Sequence, residues 1–297
     1  MRKLQIWLRA SRPFTLPGAV APVLVGTSLA FQEGAGNFGL FLAVLAACLL
    51  VQIAANLIDE YSDHDRAEGQ KKLLAPYKVI ALGLLSPKEV KRGAMACFAA
   101  ATVIGTYLIF LSGWPILFLC LFSAAVAYFY SAGTLSLGKI GLGQPLVFIF
   151  MGPVMVAGSY FVQAKIFSAN SLWLSLPMGC TVTAILAAND IRDYEEDMHG
   201  GKRTPVTYFG RIFGRWEWLG LVVAAYLSVC LMVVLNVLPA FSLFSLAALP
   251  LAFISFRHLW TGRNRLELAA ALPATARFHG VFGALLAIGI VMGRLFS

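Results

Sequence analysis

Two stretches of this chain gather the side chains that hold a hard divalent cation: Asn56-Leu-Ile-Asp-Glu-Tyr-Ser-Asp-His-Asp65 and Asn189-Asp-Ile-Arg-Asp-Tyr-Glu-Glu-Asp197. Asn189, Asp193 and Asp197 are spaced i, i+4, i+8 and fall on one helical face. Like charges four apart on a helix repel, and negative charge near a helix C-terminus opposes the macrodipole. Both terms are small, but they share a sign and occur twice, so a cation is expected to join the acids. Mg²⁺ takes carboxylate and amide oxygens and keeps waters and substrate phosphates as its other ligands. Two Asp-rich faces opposing each other would therefore hold Mg²⁺ and clamp a diphosphate, with Asn56 and Asn189 at their membrane-facing ends as substrate-binding candidates. The plainer alternative is a solvated acidic fringe neutralised by neighbouring Lys and Arg.

Gly200-Gly-Lys-Arg-Thr204 follows the second cluster. Flexible glycines beside Lys202 and Arg203 suit a loop that grips phosphate. Arg12 and Lys139 add positive charge on the same side.

The elements that must position these groups are membrane helices. The chain has 297 residues, 59% hydrophobic and 12% charged, and a spanning helix needs about 20 mostly apolar residues. Nine stretches qualify, at about 14–31, 38–58, 92–112, 114–132, 143–163, 171–189, 215–235, 238–256 and 277–296. The fold class expected is an all-α integral membrane protein, one transmembrane domain over 1–297, with the N-terminus and the acidic clusters on the cytoplasmic side. On that arrangement all 23 Lys and Arg except Lys165 and Arg294 face the cytoplasm, as do all 14 acids except Glu33. So lopsided a distribution is the positive-inside signature. The net charge of +9 is then a topology signal and gives no support to nucleic-acid binding. The first apolar run begins only after Arg12-Pro13 and reaches full membrane length, unlike a cleavable signal peptide. Cys48, Cys97, Cys120, Cys180 and Cys230 are scattered singly, so neither disulfides nor thiolate metal sites are expected.

The clusters close the second and sixth helices and share a pattern: Asn56, Ile58, Glu60 and Tyr61 align with Asn189, Ile191, Asp193 and Tyr194. An internal repeat is expected, with longer cytoplasmic loops over about 59–91 and 190–214. Ser86-Pro-Lys-Glu89 is a capping box with proline at the first helical position, and it sets the start of the third helix. Gly289 and Gly293 form a G-x-x-x-G expected to serve packing within the chain.

Several segments resemble the UbiA superfamily of membrane-embedded prenyltransferases, above all the dihydroxynaphthoate polyprenyltransferases of menaquinone synthesis. They are Arg12-Pro-Phe-Thr-Leu-Pro17, Pro22-Val-Leu-Val-Gly-Thr27, Gly83-Leu-Leu-Ser-Pro87, Gly141-Leu-Gly143, Gly152-Pro153, Tyr160-Phe-Val-Gln163 and the run from Asn189 through Thr204 to Gly210. The resemblance implies a nine-helix bundle around a central cavity open sideways to lipid. It also implies Mg²⁺-dependent transfer of a polyprenyl group from its diphosphate to an aromatic acceptor. By position it makes Asp193 and Asp197 metal-binding with Asn189 beside them, Asp59 and Asp63 the first-motif counterparts, and Lys202 a diphosphate contact. The chain departs from the pattern at Asp59-Glu60, where relatives read Asn-Asp. A further first-motif acid is not at its usual distance, so Asp65 or Glu68 substitutes. Gln144 replaces a carboxylate that commonly follows Gly-Leu-Gly.

The expected chemistry is electrophilic aromatic substitution. Asp193, Asp197 and Lys202 form the catalytic set, and the leaving diphosphate's charge is taken up electrostatically. Tyr128, Tyr130, Phe148 and Phe150 are candidates to shield the allylic cation, although packing is the plainer role for each. The acceptor expected is 1,4-dihydroxy-2-naphthoate, with 4-hydroxybenzoate or another ring as the alternative. A secondary transporter also places ionisable groups in membrane helices, but here both clusters sit at helix ends on one side. A non-catalytic lipid-binding scaffold is the third reading.

Overall fold

The computed structural model describes residues 3–65, 78–131 and 137–296, apart from the side chains at 63, 65 and 127–131. The expectations placed on Asp63, Asp65, Glu68, Tyr128 and Tyr130 as side chains therefore lie outside the described residues.

The apolar runs form helices throughout: α1 Lys3–Ala10, α2 Pro17–Gln32, α3 Phe38–Asp65, α4 Pro87–Ser112, α5 Trp114–Ser131, α6 Gly143–Ile149, α7 Met155–Ala164 and α8 Ala169–Arg192. They continue with α9 Tyr194–His199, α10 Pro205–Val234, α11 Leu249–Thr261, α12 Arg265–Leu268 and α13 Ala271–Leu295. A π-helical turn, Phe150–Val154, joins α6 to α7 around Pro153, and a 3₁₀ segment, Ala240–Ala248, leads into α11. Among the described residues seven helical spans are long and apolar enough to cross a bilayer, and an eighth crossing is made if α1 and α2, bent by 59°, count as one. The apolar helix starting at Trp114 is shorter.

α8 is the central post of the bundle. Of its apolar window 72% is buried, against 11–50% for the other spans. Met178, Leu174, Ala184 and Ile191 on α8 share a core with Trp218 of α10, Phe278 and Phe282 of α13 and Leu29 of α2. Small residues let the backbones approach. A Cβ at Gly152 would sit 2.8 Å from the Cα of Gly179, and one at Gly179 would enter the Phe148 ring. The Gly289 and Gly293 pair does pack within the chain, against Phe241 of the 3₁₀ segment and Pro239 just before it. α2 packs on both α3 and α8, so the helices that end in the two acidic clusters share a neighbour.

The capping box forms as the sequence predicts, with the Ser86 hydroxyl accepting from the Glu89 N–H. The expected loops are shorter than hydropathy suggests. α3 stays helical through Asp65 and carries the whole first cluster, and 190–214 consists of the end of α8, all of α9 and the start of α10. A hydropathy window stops where polar residues begin, whereas helical hydrogen bonding continues past the apolar zone.

Gly289→Ala would place a methyl 2.2 Å from the Phe241 carbonyl oxygen. The substitution should destabilise the protein by about 1–3 kcal/mol through overpacking. Thermal denaturation in detergent, compared with the unobstructed site Gly105→Ala, checks it.

Candidate active site

The turn after the second cluster decides where its lysine points. Asp193 breaks α8 at φ −94°, ψ 12°, yet the i→i−4 bonds run on from Asp193 to Asn189 and from Asp197 to Asp193. α9 then closes, and Gly201, at φ +65°, reverses the chain in the left-handed region that glycine tolerates. The Lys202 N–H donates to the Asp197 carbonyl and Thr204 caps α10 with Pro205 at its first position. This folding returns the Lys202 ammonium to α8. It donates to Asp190 Oδ1 at 3.0 Å and Asp197 Oδ2 at 2.8 Å.

Asp190 is the site residue that the sequence reading passed over. It is buried, and its spacing of seven from Asp197 puts the two on one face as surely as the i, i+4 series does. The expected pairing of Asp193 with Asp197 is thus divided. Asp197 joins Asp190 on Lys202. Asp193 is held bidentately by Arg192, at 2.8 and 2.6 Å, and by Arg265 of α12 at 3.2 Å. Arg192 also binds Asn189 Oδ1, and Arg265 reaches Glu196. No sequence signal links Arg265 to Asp193, which lies 72 positions away.

The segment before α6 meets this turn. Ile140 and Arg203 form a parallel bridge, with the Arg203 N–H donating to the Lys139 carbonyl at 2.8 Å. Lys139 and Arg203 are therefore neighbours. Both side chains are exposed, and among the described residues neither has a carboxylate partner. Gly138, Gly141, Gln144, Asp190, Lys202, Arg203 and Thr204 line a cleft beneath them.

In the first cluster, Asn56 donates to the Ser11 carbonyl and to Thr15 Oγ1, both at 2.8 Å. It pins the elbow between α1 and α2, where Arg12 adopts φ 50°. Arg12 reaches Asp59 at 3.5 Å and Glu60 at 3.7 Å. Glu60 is the buried acid of this cluster, taking the Ile80 N–H at 3.1 Å and Lys78 at 3.4 Å, whereas the Asp59 side chain is 57% exposed. The repeat alignment had already set Glu60 opposite Asp193. Each of the two is held by a pair of cations, and the following tyrosines match as well. Lys91 lies 5.3 Å from the centroid of the Tyr61 ring and Arg211 5.3 Å from that of Tyr194. Of the candidate shielding aromatics, Phe148 packs on Gly179 and Phe150 on Phe122.

Among the described residues no three or more His, Cys, Asp or Glu side chains form a metal cage. Mg²⁺ does not need one, since it binds through one or two carboxylates plus waters and substrate phosphates. The donors present are hard oxygens, and Glu196 Oε2 is a buried carboxylate oxygen that accepts no hydrogen bond among the described residues. The residues fit Mg²⁺.

Burial by itself would lower the Lys202 pKa, but the Asp190 and Asp197 carboxylates outweigh it and hold the ammonium above the usual lysine range. Because the folded value is raised, the stability from this pairing is complete below the unfolded lysine value of about 10.4 and is lost as pH climbs through the folded one. Lys202→Met should cost roughly 2–3 kcal/mol, less than for a fully buried pair, because the side chain is 25% exposed. Adding Asp190→Asn should recover part of the loss. Detergent melting curves test both points. The gap between wild type and Lys202→Met should narrow in the strongly alkaline range, where the Lys202 ammonium loses its proton.

Comparison with known proteins adds three findings. A family model described as the UbiA prenyltransferase family matches residues 19–289. A 1,4-dihydroxy-2-naphthoate octaprenyltransferase of Bacillus subtilis is 30% identical over 97% of this chain and 93% of its own length, and one of Mycobacterium tuberculosis is 29% identical over 97% and 98%. In fold, the chain is similar to a UbiA homologue from Archaeoglobus fulgidus bound to GPP and Mg²⁺, with TM-score 0.63, 15% identity and coverage of 95% of this chain and 99% of that one.

Proposed function

The chain belongs to the UbiA prenyltransferase family, and we propose that it transfers a polyprenyl group from its diphosphate to 1,4-dihydroxy-2-naphthoate with the help of Mg²⁺. The membership makes it an integral membrane aromatic prenyltransferase. The near full-length similarity to naphthoate octaprenyltransferases supports the acceptor. The observation that carries the reading is the pair of exposed cations, Lys139 and Arg203, joined through the backbone above a buried Asp190–Lys202–Asp197 network. Cations without carboxylate partners next to oxygen donors are what a metal-bound diphosphate requires.

In this reading the arginine, lysine and carboxylate groups divide the work. Lys139 and Arg203 bind diphosphate oxygens, with Arg12 on the first-cluster side. Asp193 and Asp197, together with Asp59 and Asp63 of the first cluster, would hold Mg²⁺, and Asn56 and Asn189 stand beside them as substrate-binding residues. Bound there, Mg²⁺ supplies positive charge that stabilises the departing diphosphate. Lys202 serves as the second source of that charge, prepositioned by two carboxylates so that no reorganisation is needed as the prenyl C–O bond breaks. Arg192 and Arg265 offset the charge of Asp193 at the end of α8. The bias of Lys and Arg toward this end of the bundle supports a cytoplasmic orientation for it and for the N-terminus.

The test uses purified protein with Mg²⁺, geranylgeranyl or longer prenyl diphosphates, and a panel of aromatic acids, with products identified by mass. A prenylated naphthoate product is expected, and EDTA should abolish it. Asp193→Ala and Asp197→Ala should each lower kcat/KM by about 10²-fold or more. Full turnover in EDTA or in either variant defeats the assigned roles, and exclusive product with another ring moves the acceptor.

A further inference from the structure

Gln144, near the start of α6, is buried at 6% exposure. Its amide nitrogen donates to Asp190 Oδ2 at 3.2 Å and to Glu217 Oε2 at 3.3 Å. The amide nitrogen is the donor to both acids, so its two hydrogens face them. The orientation of the amide is thereby fixed, with its Oε1 turned away from them. Among the described residues no donor reaches that oxygen, and Gln144 belongs to the wall of the cleft it shares with Asp190, Lys202 and Arg203. Two carboxylates pulling on the N–H side also polarise the carbonyl and strengthen it as an acceptor.

Glu217 makes this orientation possible. It is the only acid in α10, and no cation pairs with it among the described residues. A charged group in an apolar span is costly and usually has a function. Among the described residues the one hydrogen bond to Glu217 comes from Gln144. Replacing Glu217 with a group that can also donate would let the amide turn over and present N–H to the cleft.

We propose that Gln144 Oε1 receives a hydroxyl of the aromatic acceptor and that Glu217 is the positioning residue that holds the amide in place for it. This rests on the prenyl-transfer reading above. A ring reactive enough for an allylic cation carries such a hydroxyl. Accepting its hydrogen bond feeds electron density into the ring and fixes which ring carbon faces the prenyl group. A neutral amide does this without adding a fourth carboxylate to the three already gathered around Lys202 and Gln144. The site therefore selects a ring with a free hydroxyl over its methyl ether, which cannot donate.

The experiment uses the full chain in detergent with Mg²⁺, prenyl diphosphate and 1,4-dihydroxy-2-naphthoate. It measures the KM of each substrate and, without prenyl diphosphate, the acceptor Kd by calorimetry. Glu217→Gln should raise the acceptor KM and Kd about tenfold, the worth of one hydrogen bond. The prenyl diphosphate KM should stay within about twofold, as expected when the lost bond serves one substrate only. Glu217→Asp, which keeps an acceptor-only carboxylate beside the amide, should retain more of the acceptor affinity than Glu217→Gln. Should Glu217→Gln fail to accumulate, Gln144→Asn, which withdraws the oxygen by one methylene, is read in the same way. An unmoved acceptor KM and Kd, or an equal rise for both substrates, overturns the proposal alone. Wild-type protein that forms no prenylated product overturns the prenyl-transfer reading and this proposal with it.

Discussion

The Lys202 ammonium shared by Asp190 and Asp197 is the contact on which the acidic end of the bundle depends. It closes the chain from the end of α8 through α9 back onto α8, and so fixes where Arg203 meets Lys139. Without it two carboxylates would face each other in a partly buried turn, at a cost that the small terms of helix capping cannot offset. Placing the acids on the most enclosed helix makes the arrangement rigid, because α8 cannot shift without disturbing the core around Met178 and Ile191.

Charge is distributed unevenly around that turn. Asp193 and Glu196 are matched by Arg192 and Arg265, and Glu195 by Arg211. Asp190, Asp197 and Glu217, by contrast, share one ammonium and one amide. The surplus negative charge lies under the two exposed cations, and this separation of sign across a few ångströms suits a site that binds an anion and a metal together. The first cluster is arranged on the same plan. Glu60 and Asp193 each draw two cations, and Tyr61 and Tyr194 each lie under one. Neutralisation by Lys and Arg, the plain alternative for the acids, is thus realised at Glu60, Asp193, Glu195, Glu196 and Asp197, and a metal bound there would share these carboxylates with the cations.

Much of the site was legible in the chain. The repeat, the Gly-Gly-Lys-Arg-Thr turn and the basic residues at 139 and 203 were all visible as pattern. Asp190 and Glu60 stand inside the quoted motifs and were passed over in favour of the i, i+4 series and Asp59. The repeat alignment was the signal for Glu60, and a spacing of seven was the signal for Asp190. Glu217 and Arg265 carried no such mark. Each reads as an ordinary charge at a helix end until packing brings it to Gln144 or Asp193.

By itself the sequence determined that this is a helical membrane protein, roughly where its apolar helices lie, and which end carries the charge. Those properties follow from local hydropathy, capping and charge bias, which act along the chain. The tertiary structure decided which carboxylate pairs with which cation and which way the Gln144 amide faces. Partners 46 to 73 residues apart are chosen by how α6, α8, α10 and α12 pack, and helical periodicity carries no information about neighbours on other helices.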